Sequence, residues 1–470
     1  MTDTADPGVV GASPNVVLVH CHDLGNRLGC YGRDVQTPNI DALAADGALF
    51  ENHFVTAPQC SPSRASLLTG LYPHTNGMMG LAHGAWELNE DATTLPECLA
   101  AAGYETHLFG LQHVTDDPTD IGIEYVHSEG NLLPASSPEI HEVNRAHDVT
   151  DTVEAFLTKD SYQEPFFATI GFFELHRIEV NDQFGFNDGE YETGDPEAVA
   201  VPPYLPDCDG IRDDLAELEG MLTALDEAMG RLTGALDEAG LAEETILVFT
   251  TEHGIAFPRA KGCCYDPGIE ATLLIRYPGV IDSDSRYDEL VSNVDVLPTI
   301  LDFVDDARPD DLGNVRPDSV DGRSFFPLLT DRKHVPREQV FAEMTWHDRY
   351  NPMRSIRTPE YKYIRNFWHL PSVYLSNDVF VSKAGRAIRE EFHSGHRPYE
   401  ELYDLTDDPH EQTNVVDEEE YSHVREELEH RLVSWMEQTN DPLLDGPVPP
   451  GDYDAIVPWG DAEPNLEFDV

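Results

Sequence analysis

The sequence predicts an α/β fold: a mixed, mostly parallel central sheet sandwiched by helices, with a smaller C-terminal α+β subdomain. Three observations predict it. Short, nearly continuous apolar runs recur at NVVLVH (15–20), YETHLFG (104–110), FFATIGF (166–172), TILVFTT (245–251) and TLLIRYP (272–278). Runs without polar alternation suit strands buried on both faces, as in a parallel sheet covered by helices. Between two of them, Leu215, Leu218, Leu222, Leu225, Met229, Leu232 and Leu236 recur at helical spacing ahead of Gly240. That stripe is core packing against the sheet rather than a cofactor site. From about residue 346 the pattern turns to shorter strands and turns, which sets the subdomain apart.

In chain order, residues 1–13 read as a flexible leader. The strand over 15–20 runs directly into CHDLG, and groups on the C-terminal tip of such a strand face the usual ligand crevice. TPNIDALAADG (37–47) predicts a helix, with Thr37 as N-cap, Pro38 in the first turn and Gly47 as the stop. CSPSRASLLTG (60–70) predicts another, beginning near Ser61, because Pro62 in a first turn removes no needed donor. The main α/β domain spans 14–345. RSIRTPEYKYIRNF (354–367) and ELYDLTDDPHEQTNV (401–415) predict the strands and turns of a small antiparallel sheet within 346–470, followed by a closing helix near 417–438 and an acidic tail.

Composition excludes several partners. The 470-residue chain carries 89 acidic residues against 29 Lys+Arg, a net charge of −60, so neither nucleic acid nor an anionic membrane is expected to bind it. The acids are spread through every region, and the few lysines (Lys159, Lys261, Lys333, Lys362, Lys383) are outnumbered by arginines. This pattern resembles proteins that work in molar salt, where screening over about 3 Å makes the self-repulsion tolerable. Seven cysteines show no CxxC pair and no regular framework, which argues against a disulfide scaffold. The first residues lack a basic region followed by an apolar one, and no stretch of 18 residues is apolar, so a cytoplasmic location is expected.

Five short motifs carry chemistry: CSPSRASLLTG (60–70), HD after the first strand (22–23), GLQH (110–113), ELH (174–176), and TEHG (251–254) followed by Lys261. In this order, with PNVVLV before them and ELYDLTDDPHE after, they resemble the type I sulfatases of the alkaline-phosphatase-like superfamily across most of residues 14–440. HDLG, FELHR and TEHGIAFPRAK look most like the heparan N-sulfatase-like members. The resemblance implies that Cys60 is oxidised by a separate formylglycine-generating enzyme to Cα-formylglycine. One hydroxyl of its hydrate would attack sulfur, and the other would let sulfate leave. It also implies one divalent metal ion, held by His22, Asp23, Cys60, Glu252 and His253. Arg64 and Lys261 would bind the anion, and His113 and His176 would serve the leaving group and the nucleophile.

Three departures stand out: His22 where the family has Asp, Glu252 where it has Asp, and Leu111 in place of a lysine. Family habit favours Ca²⁺, and the added imidazoles shift preference toward Mn²⁺, with Mg²⁺ also admitted. The implied substrate is a sulfate ester or sulfamate of a sulfated sugar. The alternatives are a phosphonate monoester or phosphodiester hydrolase of the same superfamily, and a binding homologue without chemistry.

Surface repulsion between so many carboxylates lengthens its reach as salt falls, from about 3 Å at 1 M to about 10 Å at 0.1 M. Melting temperature is therefore expected to fall steeply as KCl is lowered from molar to decimolar levels. A flat melting curve across that range would remove the salt-adapted reading.

Overall fold

The computed structural model describes residues 13–128, 130, 144–158, 162–180, 183–307 and 316–450. Most of the proposed 1–13 leader and the tail from residue 451 lie outside the described residues.

The main sheet is assembled from β1 (Asn15–Cys21), β2 (Ala48–Phe54), β3 (Glu105–Gly110), β4 (Tyr125–Val126) and β5 (Phe166–Gly171). After a two-stranded ribbon, β6 (Ile178–Val180) and β7 (Gln183–Gly185), it is completed by β8 (Thr245–Thr251), β9 (Leu273–Arg276) and β10 (Ser285–Ser292). Its eight strands run in the order β10-β2-β9-β8-β1-β5-β3-β4. β9 alone is antiparallel to its neighbours β2 and β8, and the remaining pairs are parallel. All five predicted strands form. β2 and β10 were not foreseen, because the polar residues that β2 carries between apolar ends and the alternation of β10 along the edge mask them in sequence.

Helices cover both faces. α1 (Pro38–Ala45) forms as predicted, yet Thr37 makes no capping bond. Its hydroxyl accepts from Gly29 N at 2.9 Å and donates to Asp41 Oδ1 at 3.0 Å, which ties down the preceding loop instead. The helix ends at Ala45, two residues before the predicted stop, and Gly47 is glycine for a steric reason: a Cβ there would sit 2.4 Å from the Ile275 carbonyl oxygen as β2 begins. α2 (Cys60–Thr69) is buried along its whole length, and α3 (Leu95–Ala101) and α4 (Ala146–Thr158) follow. α5 (Asp209–Glu238) carries the predicted apolar stripe, every member of which is buried against the sheet and α4. α6 (Val296–Ala307) lies in the second core layer, on the opposite face.

The C-terminal sheet is antiparallel, β11 (Val340–Trp346), β12 (Tyr350–Arg357), β13 (Tyr361–Asn366) and β14 (Glu400–Asp404) in sequential order. Its first strand spans the residues just before 346, where the subdomain was expected to start. α7 (Lys383–Phe392) packs on α5, whereas α8 (Ser422–Gln438) packs Leu428, Leu432, Trp435 and Met436 against Ile356, Tyr363 and Leu402. Among the described residues no helix is long and apolar enough to cross a membrane.

β1, β8, β3 and β5 are mutually parallel, so their C-terminal ends share one edge of the sheet. Every motif with candidate chemistry lies just past one of those ends or at the start of α2.

One buried histidine in this frame reports on pH. His53 on β2 bonds the Ala271 carbonyl through Nδ1 at 3.0 Å, and burial lowers its pKa to about 4. As pH falls, the unfolded chain takes up this proton near 6.5 while the folded chain does not, so stability is lost on the acid side. Between pH 7.5 and 5.5 the parent protein should lose about 1 kcal/mol more than His53→Gln, measured by urea unfolding in molar KCl. Equal losses would show that His53 is not held neutral.

Candidate active site

β1 delivers His22 and Asp23, and β8 delivers Glu252 and His253, from neighbouring strands. The turn after β1 is tied to both neighbours: Gly25 N donates to His253 O in the β8 turn at 2.8 Å, and His22 N to Glu174 O past β5 at 2.8 Å. Asp23 holds a left-handed φ of 47° and His113 one of 57°, conformations that a non-glycine residue adopts where its surroundings impose them. Cys60 opens α2 and faces the same space, its Sγ 3.5 Å from His253 Nε2. Asn293 secures that helix by donating to Ser63 O at 3.0 Å and Ser63 Oγ at 3.1 Å.

His22, Asp23, Cys60 and Glu252 each place a donor atom within 4.8 Å of the others, and all four are buried. His253 Nε2 lies 3.1 Å from Asp23 Oδ1 and 3.3 Å from Glu252 Oε1, while its Nδ1 bonds the Gly254 carbonyl at 2.9 Å. With the ring proton spent on a carbonyl, the Nε2 lone pair points at two carboxylate oxygens. A cation reconciles that arrangement. Both His22 ring nitrogens, Asp23 Oδ1 and Glu252 Oε1 are buried without an aligned hydrogen-bond partner, although His22 Nδ1 and Glu252 Oε1 are only 2.7 Å apart. Two carboxylates, two imidazoles and a sulfur thus converge as a donor set that fits a divalent ion.

Charges around this set are matched. Arg64 is buried, bonding Glu252 through Nε and His20 through Nη1, and its Nη2 has no partner. Burial works against ionisation of Glu252, but Arg64 and then His22 outweigh it and hold the carboxyl well below its usual range. Burial, then Arg64, lowers His22 to about 3. Burial, then Glu252, pushes the Cys60 thiol well up. Lys261 donates to both Asp23 and Asp378 at 3.0 Å. Those two carboxylates overcome its burial and raise its pKa, and Asp378 is held low in turn.

His113 and His176 complete the ring of predicted residues. His176 is half-buried, with its ring 5.3 Å from that of His22, and burial followed by Lys261 lowers its pKa. His113 is buried, and burial followed by His83 lowers it further. Leu111, at the expected lysine position, is buried in the apolar core and leaves no cation there. All nine predicted residues therefore gather at one sheet edge. Three neighbours escaped the sequence reading: His20, hidden in the apolar run of β1; His83, on a loop without a motif; and Asp378, which lies 117 residues from its partner Lys261. No local pattern could have joined the last pair.

The sulfatase family profile matches residues 14–306. The chain belongs to the sulfatase family. It is a sulfuric ester hydrolase by that membership, and a second profile, N-sulphoglucosamine sulphohydrolase C-terminal, matches residues 252–378. The sulfatase is 30% identical to human N-sulphoglucosamine sulphohydrolase over 94% of its own length and 93% of the relative's. In fold it is similar to a structure solved in complex with its substrate D-glucosamine-2-N,6-O-disulfate (TM-score 0.66, 21% identity, 91% and 98% of the two chains). It is likewise similar to the phosphonate monoester hydrolase of Agrobacterium radiobacter (TM-score 0.68, 21% identity, 92% and 97%).

Asp23→Asn and Glu252→Gln each remove a negative donor. Since changes merely next to a metal ligand already cost about 10- to 100-fold in affinity, each is expected to weaken divalent-ion binding by at least that much. Metal analysis after chelator washing checks this, and unchanged stoichiometry in both variants would move the ion elsewhere.

Proposed function

We propose that the sulfatase removes sulfate from an amino sugar, as a sulfamate or a sulfate ester, using Cα-formylglycine made from Cys60. The observation that carries this reading is Cys60 at the N-terminal end of α2, its sulfur 3.5 Å from His253 and within 4.8 Å of a His113 nitrogen. The similarity to human N-sulphoglucosamine sulphohydrolase supports the substrate class.

His22, Asp23, Glu252 and His253, with the residue at position 60, would hold one divalent ion. Such an ion lowers the pKa of a bound hydroxyl and polarises the sulfate oxygens. The carboxylates and the family resemblance favour Ca²⁺, and the two imidazoles leave Mn²⁺ or Mg²⁺ as alternatives. Water added to the formyl group would give a geminal diol, one hydroxyl of which would attack sulfur while the other would expel sulfate by re-forming the aldehyde, which serine cannot do.

The chain's own residues do the rest. Arg64 Nη2, the unpartnered guanidinium arm, takes a sulfate oxygen, aided by the first-turn backbone N–H groups and positive end of α2. Lys261 is held between Asp23 and Asp378, so it balances the ion's carboxylate and offers its remaining donor to the anion. His113 and His176 stay neutral through burial. One of the two would protonate the departing oxygen or nitrogen and the other would take a proton from the nucleophile. A formylglycine-generating enzyme is the implied partner, and the acidic surface suits a salt-rich cytoplasm.

Protein isolated from its native host is expected to carry formylglycine at position 60 by mass spectrometry and to turn over N-sulfoglucosamine. An unmodified thiol would overturn the mechanism. Faster turnover of an aryl phosphonate than of the matching aryl sulfate would favour the phosphonate hydrolase reading instead.

A further inference from the structure

Acids dominate this chain, and one stretch departs from that balance. Residues 347–400 carry nine Lys and Arg against six acids, in a chain of 29 against 89. Part of the excess is spent inside, where Arg354 and Lys362 are buried against carboxylates. Arg349 is not spent in this way: it is half-buried, and among the described residues it makes no ion pair. A cation left over in so acidic a protein is free to meet an anionic ligand.

Arg349 belongs to the three-residue tip, 347–349, of the hairpin in which Trp346 on β11 pairs with Tyr350 on β12. That hairpin is fastened to the active site from two sides. On one, Asn377 N donates to Asp348 Oδ2 at 3.0 Å, one residue before the Asp378 that holds Lys261. On the other, Trp346 N donates to Met79 O at 3.1 Å, four residues before His83, whose Nδ1 lies 3.2 Å from His113 Nε2 with the two rings in one plane. The tip therefore stands at the rim of the site.

From the same hairpin a row of rings runs outward. Tyr350 lies 4.8 Å from Trp346 between centroids, and Trp368 lies 6.2 Å from Tyr350. His369 follows Trp368 at 5.3 Å, and His396 stacks on His369 at 5.6 Å. Trp368 is 45% exposed, and both histidines are exposed with it. One exposed apolar side chain needs no explanation, but a connected row beside a site does. Rings with an apolar face and a polar edge suit a pyranose, whose axial C–H bonds form an apolar face while its hydroxyls point sideways.

We propose that Trp368 and Arg349 form a subsite for a second residue of an anionic saccharide: Trp368 takes the ring face of the sugar next to the one that carries the scissile sulfate, and Arg349 pairs with a sulfate or carboxylate on it. The inference rests on the amino-sugar reading above and deepens it, since the substrate becomes a chain of two or more sugars. Arg geometry matches such anions in a two-pronged fashion. The acidic surface elsewhere repels the same chain, so the basic tip also orients its approach.

The first test needs no turnover. In molar KCl and in a Cys60→Ala background, which leaves the ligand intact, a heparin-derived tetrasaccharide is titrated by calorimetry. Saturable binding is expected, weakened about tenfold by Trp368→Ala and by Arg349→Gln and largely kept in Trp368→Phe, which retains a ring face. Absent binding, or equal affinity with and without Trp368→Ala and Arg349→Gln, overturns the proposal. If Trp368→Ala instead dissociates an oligomer at unchanged tetrasaccharide affinity, the row is a contact between copies and the proposal falls.

The second test compares N-sulfoglucosamine with a tetrasaccharide that ends in it. The ratio of kcat/KM, tetrasaccharide over monosaccharide, is expected to be about ten or more in the parent and to fall about tenfold in Trp368→Ala and Arg349→Gln, with the change lying in KM. Monosaccharide turnover without any preference for the longer chain removes the subsite and leaves the amino-sugar reading standing. Turnover of neither removes the amino-sugar reading, and the titration still decides the subsite.

Discussion

The Glu252 carboxylate is the point on which the site turns. It accepts from Arg64, the cation of α2, and meets His22 at 2.7 Å from β1 and His253 at 3.3 Å from its own turn. Three separate elements are thus joined through one buried anion. A buried charge is tolerated only when paired and hydrogen-bonded, and loss of one partner from such a set costs about 3–5 kcal/mol. The same requirement that keeps Glu252 ionised therefore holds Cys60, His22 and Asp23 in register.

A second balanced group extends this logic outward. Lys261 links Asp23 to Asp378, and Asp378 belongs to the one-turn helix Asn377–Phe380 that follows the third strand of the C-terminal sheet. The subdomain thereby completes the site rather than merely covering it. It is held in place by further buried ion clusters. Lys362 pairs with Asp266 and Glu411, and Arg354 with Asp441 and Glu343, the latter also bonded to His74. Few basic residues exist in this chain, and a good share of them are spent inside. The surface is left to the acids, which is how a net charge of −60 coexists with a charge-matched interior.

The departures from family pattern acquire a physical context. Leu111 removes a cation, and the structure fills its place with apolar core. On the other side of the site, the histidines His20, His83, His113 and His176 crowd around Arg64 and His22. Burial drives the pKa of His20, His113 and His176 down, so these three add donors and acceptors without adding net positive charge.

By itself the sequence determined what depends on local pattern. Short continuous apolar runs suit strands buried on both faces, the leucine stripe of α5 suits one face of a helix, and CSPSRASLLTG placed a cysteine near a helix start with an arginine one turn on. The resemblance of the motifs to the type I sulfatases named nine candidate site residues before any coordinates, and they share one edge because the motifs follow the ends of parallel strands. Tertiary structure alone decided what depends on non-local approach. It set the antiparallel insertion of β9, the edge strands whose polar residues hide them, and the bridging of Asp23 to Asp378 by Lys261. It also set the coplanar meeting of His83 and His113. Periodicity reports which face of an element is buried, whereas a contact between residues far apart in the chain is fixed by how several elements pack at once, and no single stretch of sequence records that.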